Sequence, residues 1–486
     1  MKRTGILLPI FSLPSKYGIG NIGREAYKFI DFLSETGQSI WQILPLSQTS
    51  FGDSPYQSPS AFALNPYFID PDALVAKGYV TKNELSMLPL GGARVDYGEL
   101  YETRYPFLRL AYSRFEKNIP RAFYSFCKRE REWLDDYALF MAIKNRKNSG
   151  EFLNWDEATL RRENLSELWY EYGEDANFWR FLQFELDEQW RALRSYARKK
   201  KIKIMGDLPI YVALDSADVW GCPEQFLLDE RRRPSKVAGV PPDAFSDDGQ
   251  LWGNPLYDWD YMKGDGYGWW CRRFARAKAL YDVIRIDHFV GFSNYYAIPS
   301  GAERATEGRV MKGGGYPFFE AVSSRLGRLD IVAEDLGMLQ DGVAELLRLT
   351  GFPNMRVIQF SFGGENNPHA PENHVKNCVV YTGTHDNPTS LGYYASLSPD
   401  EKRRVRATLG GTGHICDRFI ALAMKSVADT VIIPIGDYLR LGNEGRLNAP
   451  SSTGGANWSW RLRKGYATAC LKARITEATR ASGRSR

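Results

Sequence analysis

The sequence predicts an α/β fold: a (β/α)8 TIM barrel with large inserted subdomains in the loops after strands 2 and 3 and no separate C-terminal β domain. Three observations predict it. Eight short apolar or β-branched runs each end in a polar or glycine-containing turn, and most are far enough apart to hold a crossover helix. The interval from Pro45 to Ile202 is much longer than a barrel connection, so it must contain an inserted subdomain. No Gly-x-Gly-x-x-Gly follows an early strand, which leaves a doubly wound dinucleotide-binding sheet without its phosphate loop. With 486 residues, the chain is also too long for a small binding module.

The first run, Gly5 to Ile10, follows Met1-Lys2-Arg3 and superficially resembles a secretory signal. Pro9 and Pro14 interrupt it and no small-x-small cleavage pattern follows, so it reads as a buried strand. The second run is Ser39 to Leu44. After it, an insertion spanning about 68–200 is mostly helical, with apolar and aromatic residues at three- and four-residue steps over Leu134 to Asn145, Asn177 to Leu186 and Glu188 to Lys200. The third run, Lys203 to Gly206, leads into a segment of about 211–262 that is rich in Pro, Gly, Asp and Trp and reads as a loop-rich insertion over the active face. The remaining strands are Asp282 to Ile286, Asp330 to Ala333, Met355 to Phe360, Cys378 to Gly383 and Val431 to Ile435. The polar tail from Thr476 to Arg486 reads as a frayed end, and residues 1–486 as a single catalytic barrel.

Composition narrows the partners. A net charge of +5 requires no polyanion, and the basic clusters Arg198 to Lys201, Arg231 to Arg233 and Lys402 to Arg406 read as solvated faces, so no nucleic acid is expected. No run of about 18 apolar residues could cross a bilayer, so no membrane is expected either. The six cysteines are scattered without paired spacing, which suits reduced thiols in a cytoplasmic protein rather than a disulfide framework or a zinc site. Gly313 to Tyr316 leads into no Gly-Lys-Ser/Thr, so it is not a phosphate loop. Aromatic residues make up 14% of the chain, more than a core demands, so some of them face a ligand.

The chemistry concentrates at strand ends. In Asp282 to Phe289, alternation puts Arg285 and Asp287 on one face and Ile284 and Ile286 on the other. Such a pair is either a buried structural ion pair or functional, and burying charge is a poor route to stability. Glu334 ends the next strand, and the seventh runs into Thr384-His-Asp-Asn387. Asp287, Glu334 and Asp386 therefore converge at one barrel mouth. An Asp and a Glu so placed fit glycoside chemistry, in which one carboxylate attacks or stabilises the sugar carbon and the other protonates the departing oxygen. A metal site is the weaker alternative, because the five histidines show no HxH or HExxH spacing.

Seven motifs then carry a resemblance over nearly the whole chain. They are Gly5-Ile-Leu-Leu-Pro-Ile-Phe-Ser-Leu-Pro-Ser15, Asp53-Ser-Pro-Tyr-Gln-Ser58, Gly206-Asp-Leu-Pro-Ile210, Trp252-Gly-Asn-Pro-Leu-Tyr257, Arg285-Ile-Asp-His-Phe289, Ala333-Glu-Asp-Leu-Gly337 and Gly383-Thr-His-Asp-Asn387. In this order the sequence resembles the 4-alpha-glucanotransferases (amylomaltases, disproportionating enzymes) of glycoside hydrolase family 77. The resemblance implies that Asp287 is the nucleophile, Glu334 the general acid and then base, and Asp386 the transition-state stabiliser. Arg285 would support the nucleophile, and His385, Tyr56 and Asp207 fall in the family's donor-side patterns. Trp252 and Phe360 are candidate stacking platforms for the apolar faces of glucose. Two departures stand out. Ala244 occupies a position where relatives often carry tyrosine, and Pro388 follows Asn387 where an acidic or small polar residue is frequent, a loop difference rather than lost chemistry.

The expected activity is retaining transfer of an α-1,4-glucan segment to the 4-hydroxyl of a glucose or glucan acceptor, without cofactor or metal; the alternative is an α-amylase-like hydrolase. The expected partners are glucan donor and acceptor, and the expected state is a monomer or homodimer.

Overall fold

A computed structural model describes residues 2–148, 150–242, 248–337, 342–364, 366–452 and 454–484. Ala244 lies outside the described residues. Among the described residues, twelve strands form two sheets. In chain order they are β1 (Arg3–Leu7), β2 (Ile40–Gln42), β3 (Lys203–Leu208), β4 (Lys236–Val240), β5 (Gln250–Pro255), β6 (Val283–Ile286), β7 (Asn294–Pro299), β8 (Arg309–Lys312), β9 (Ile331–Ala333), β10 (Asn354–Val357), β11 (Cys378–Tyr381) and β12 (Thr430–Pro434).

Eight of these pair in parallel in the order β10-β11-β12-β1-β2-β3-β6-β9, and they coincide with the eight runs read from the sequence. Their two end strands face each other across a seam. The Ala333 amide donates to Pro353 O at 2.8 Å there, and the buried Asp335 carboxylate accepts from the Met355 amide at 2.9 Å, from Asn354 Nδ2 at 3.1 Å and from Arg356 Nη1 at 3.1 Å. A side chain therefore does at the seam what a strand ladder does elsewhere around the barrel. The strands are buried on both faces, which explains their near-continuous apolar character. Gly206 on β3 is sterically required, since a Cβ there would lie 2.3 Å from the Tyr281 ring.

Most crossovers are helical, but between β10 and β11 the described residues hold only the 3-10 turns Ile358–Phe360 and Pro371–Asn373. Phe360 therefore sits just beyond its strand rather than at its end. The interval between β2 and β3 carries the long helices Tyr97–Phe115, Arg121–Arg146 and Leu165–Lys199. The last of these unites two stretches that the sequence presents separately. Phe115, Phe181, Phe123 and Phe184 interlock between these helices, with the Phe115 and Phe181 centroids 4.6 Å apart, so much of the aromatic excess is ordinary core.

Two expectations change. The segment 211–262 is more regular than a loop: it contributes β4 and β5, which join β7 and β8 in an antiparallel sheet of order β5-β4-β7-β8. The described part of the C-terminal tail, up to Arg484, is not frayed, because the helix Ala469–Ala481 continues past Thr476. Arg484 behind it is buried and donates to Ser426 O at 2.7 Å and Ala428 O at 2.9 Å. Among the described residues, no helix is long and apolar enough to cross a membrane.

Candidate active site

The carboxyl ends of the barrel strands open into a cleft of about 1010 Å³, room for several sugar rings. Asp207 on β3 and Arg285 on β6 are register partners, so their side chains meet inside the barrel. Arg285 Nη1 donates to Asp207 Oδ1 and Oδ2 at 2.7 and 2.8 Å and to Asp287 Oδ1 at 2.9 Å, while Nη2 lies 3.9 Å from Glu334 Oε2. One buried guanidinium thus lies against three carboxylates. Asp287 and Glu334 line the cleft; Asp207 is buried beneath it.

The two cleft-lining acids differ in environment. Glu334 is buried, with its oxygens accepting from the His288 and Leu336 amides at 2.7 Å each. His288 has φ +49°, a left-handed conformation costly for a side chain of its size, and this turn follows Asp287 directly and sets the amide that meets Glu334. Burial pushes the Glu334 carboxyl up to about 8; the Arg285 charge and the two amides oppose this, and the neighbouring Asp287 adds to it. Burial also raises Asp287, to about 6, against the pull of Arg285. A quarter of the Asp287 side chain remains open against 9% for Glu334, so the ordering of the two has a physical basis. Of the two, Glu334 is therefore the group held more strongly toward its protonated form. Burial lowers His288 to about 4, which keeps that ring neutral.

The opposite wall is built from Tyr56, in the loop after β2, and His385 and Asp386, after β11. Tyr56 Oη donates to Asp207 Oδ2 at 2.7 Å. Its single proton is then committed, so the 2.9 Å contact with His385 Nε2 makes that nitrogen the donor. His385 Nε2 also lies 3.3 Å from Asp386 Oδ2. The Tyr56 and His385 rings stack with centroids 5.4 Å apart and planes 12° from parallel. Asn387 Oδ1 accepts from the Thr384 amide and hydroxyl at 2.8 and 2.9 Å, which shapes the turn carrying both residues. Pro388 fits that turn, its carbonyl accepting from Gln359 Nε2 at 2.9 Å.

A family model described as 4-alpha-glucanotransferase matches residues 8–468. The chain belongs to this family. It is 46% identical over 484 residues to the 4-alpha-glucanotransferase of Clostridium butyricum, covering 98% of this chain and 99% of that one. It is 44% identical to the 4-alpha-glucanotransferase of Thermus thermophilus, with 95% of each covered. Among solved structures, an amylomaltase from Streptococcus agalactiae in complex with acarbose superposes with a TM-score of 0.97 at 39% identity over the whole of both chains.

In this 4-alpha-glucanotransferase family member the cleft also contains Trp252 and Phe360, both half-buried along its wall. Trp252 meets the His288 ring edge-to-face at 4.9 Å. Three participants carry no signal strong enough to read from sequence: Arg446, Asn448 and Trp458, all in the loop after β12. Asn448 Nδ2 donates to Asp386 Oδ1 at 2.6 Å, Arg446 Nη2 donates to Asp386 O at 2.9 Å, and Trp458 lies against Tyr56 and His385. The available clue was position, since the Gly-, Asn- and Pro-containing stretch from Gly442 to Pro450 follows a barrel strand at its carboxyl end.

Proposed function

We propose that this protein is a retaining 4-alpha-glucanotransferase in which Asp287 attacks, Glu334 shuttles the proton and Asp386 with His385 grips the donor sugar. The reading rests on one observation above all: a partly open Asp287, hydrogen-bonded to Arg285, faces a buried Glu334 across that guanidinium. In the first half-reaction an Asp287 oxygen bonds to C1 of the donor glucose as the C1–O4 bond breaks, and the Glu334 proton passes to the departing O4. In the second, the 4-hydroxyl of an acceptor bonds to C1, Asp287 leaves with its electron pair, and the Glu334 carboxylate takes the acceptor's proton. Asp207 acts from beneath, by orienting Arg285 and Tyr56. Asp386 and His385 would hold ring hydroxyls more tightly as the sugar flattens and gains positive charge, which lowers the barrier selectively. Trp252, Phe360 and Trp458 offer apolar planes to neighbouring rings.

Transfer wins over hydrolysis where an acceptor is held in place, because oriented neighbours reach effective molarities of about 10⁵ M or more against about 55 M water. Maltotriose alone, without phosphate or nucleotide, should give glucose and a ladder of longer maltooligosaccharides with nearly constant reducing ends. A steady rise in reducing ends with no chain longer than the substrate would make it a hydrolase. Acarbose, an oligosaccharide mimic, should occupy the same cleft.

A further inference from the structure

The loop after β12 reaches the site along its inner edge. The Asn448 amide donates to His385 O at 3.1 Å, its side chain holds Asp386, and the Trp458 indole lies 5.6 Å from the Tyr56 ring and 6.0 Å from that of His385. Trp458 has φ +57°, a conformation that a bulky residue abandons unless its surroundings impose it. Apart from the 3-10 turn Asn443–Gly445, the described part of this strap, from Gly442 to Arg461, has no helix or strand of its own, so its shape depends on a few fastenings.

One group of fastenings comes from Ser12, whose Oγ donates to Trp460 O at 2.7 Å, and from the Leu13 and Ser15 carbonyls that accept from Arg461; the other lies on its outer edge, in a segment more than 340 residues earlier in the chain. Arg94 and Trp460 form an antiparallel bridge. The Val95 amide donates to Ser459 O at 2.7 Å and the Arg461 amide to Ala93 O at 3.1 Å. The Arg94 guanidinium then forks over the strap, with Nη1 donating to Ala456 O and Ser459 Oγ at 3.1 Å each and Nη2 to Glu444 O at 3.4 Å. Tyr97 Oη adds a bond to Trp458 O at 2.9 Å. Two of the three Arg94 bonds bracket Trp458, so its grip is concentrated at the end of the strap that faces the Tyr56 and His385 rings.

We propose that Arg94 is a positioning residue for glucan transfer: it touches neither sugar nor reacting atom, but holds the strap so that Trp458 packs against the donor wall. The inference rests on the donor-side assignment made above. Because Arg94 is solvent-exposed, its net effect is modest. Arg94→Ala should raise the KM for maltotriose by about three- to tenfold, with kcat within about twofold of the parent. Its unfolding midpoint should stay within about 2 °C, and amide exchange should quicken in residues 456–460.

Arg94→Lys separates geometry from charge, because a single ammonium nitrogen cannot span acceptors that the guanidinium reaches with two; it should recover little of the lost affinity. Calorimetric binding of acarbose provides the same comparison without turnover. The Arg94 result therefore remains readable even if the wild-type protein fails to disproportionate maltotriose, and that failure would count against the proposed function alone. An unchanged KM and acarbose affinity in Arg94→Ala would overturn the proposal. So would full recovery in Arg94→Lys, or a loss confined to kcat and thermal stability.

Discussion

Replacing Arg285 by methionine removes the cation lying against Asp207, Asp287 and Glu334 while keeping most of the apolar stem. Only 3% of the Arg285 side chain is exposed, so bulk solvent does not simply take its place. At about 4 Å and an effective dielectric of about 20, a unit charge is worth roughly 4 kcal/mol, or about three pK units. The partial exposure of Asp287 and entry of water reduce this to about one to three. Starting from about 6, Asp287 would then titrate between about 7 and 9. In the proposed mechanism Asp287 attacks and must be ionised, so at pH 7 its active fraction falls from about nine-tenths to between about one-half and one-hundredth, a loss of about 2- to 90-fold in kcat/KM. The wild-type kcat/KM profile should be a bell with limbs near 6 and 8. In Arg285→Met the acid limb should move up by about one to three units. The assay is glucose release from maltotriose between about pH 5 and pH 9, with circular dichroism confirming the fold, since stranding buried carboxylates costs about 3–5 kcal/mol. Arg285→Lys retains a charge and serves as the second variant, with its limb within about one unit of the parent. A folded Arg285→Met enzyme whose acid limb has not moved would refute the electrostatic argument.

Two further outcomes follow from neighbouring residues. Glu334 titrates higher in the folded protein than its ordinary value of 4.5, so the stability associated with its neutral form is complete below about 4.5 and is lost as pH rises through about 8. Glu334→Gln places an amide NH2 against one of two backbone donors, which sets an offset; the test is the slope, and the unfolding free energy of wild type relative to the variant should fall across that window. A flat difference would refute it. Asp335→Ala leaves the Met355 amide without its acceptor and the Arg356 charge without its carboxylate at the barrel seam, with only the Met355 carbonyl still accepting from that guanidinium, and should cost about 2–4 kcal/mol by urea unfolding. A loss below about 0.5 kcal/mol would show that the seam does not need this side chain.

The barrel was legible because parallel strands buried on both faces must be apolar along their length, and Ile40–Gln42, Cys378–Tyr381 and Thr430–Pro434 carry that mark wherever they sit in the chain. Strand ends were legible for the same reason, and they placed Arg285, Asp287, Glu334 and Asp386 at one mouth. The second sheet was not. Its strands lie among glycines and prolines and expose residues such as Leu251 and Val310, and its two hairpins, β4 with β5 and β7 with β8, meet only through the β4–β7 pairing across the intervening β6. Asn448 and Trp458 have no periodicity at all; they matter because they return to Asp386 and Tyr56 from 62 and some 400 residues away.

By itself, then, the sequence determined which segments become strands and which acids stand at their ends, since both follow from local pattern. Only the tertiary structure decided what those acids are. Asp287 and Glu334 have the same functional group; burial raises the second further than the first because the fold leaves Asp287 partly open, hydrogen-bonded to Arg285, and buries Glu334 3.9 Å from that guanidinium. Ionisation depends on the distance to charge and water, and no stretch of sequence contains that distance.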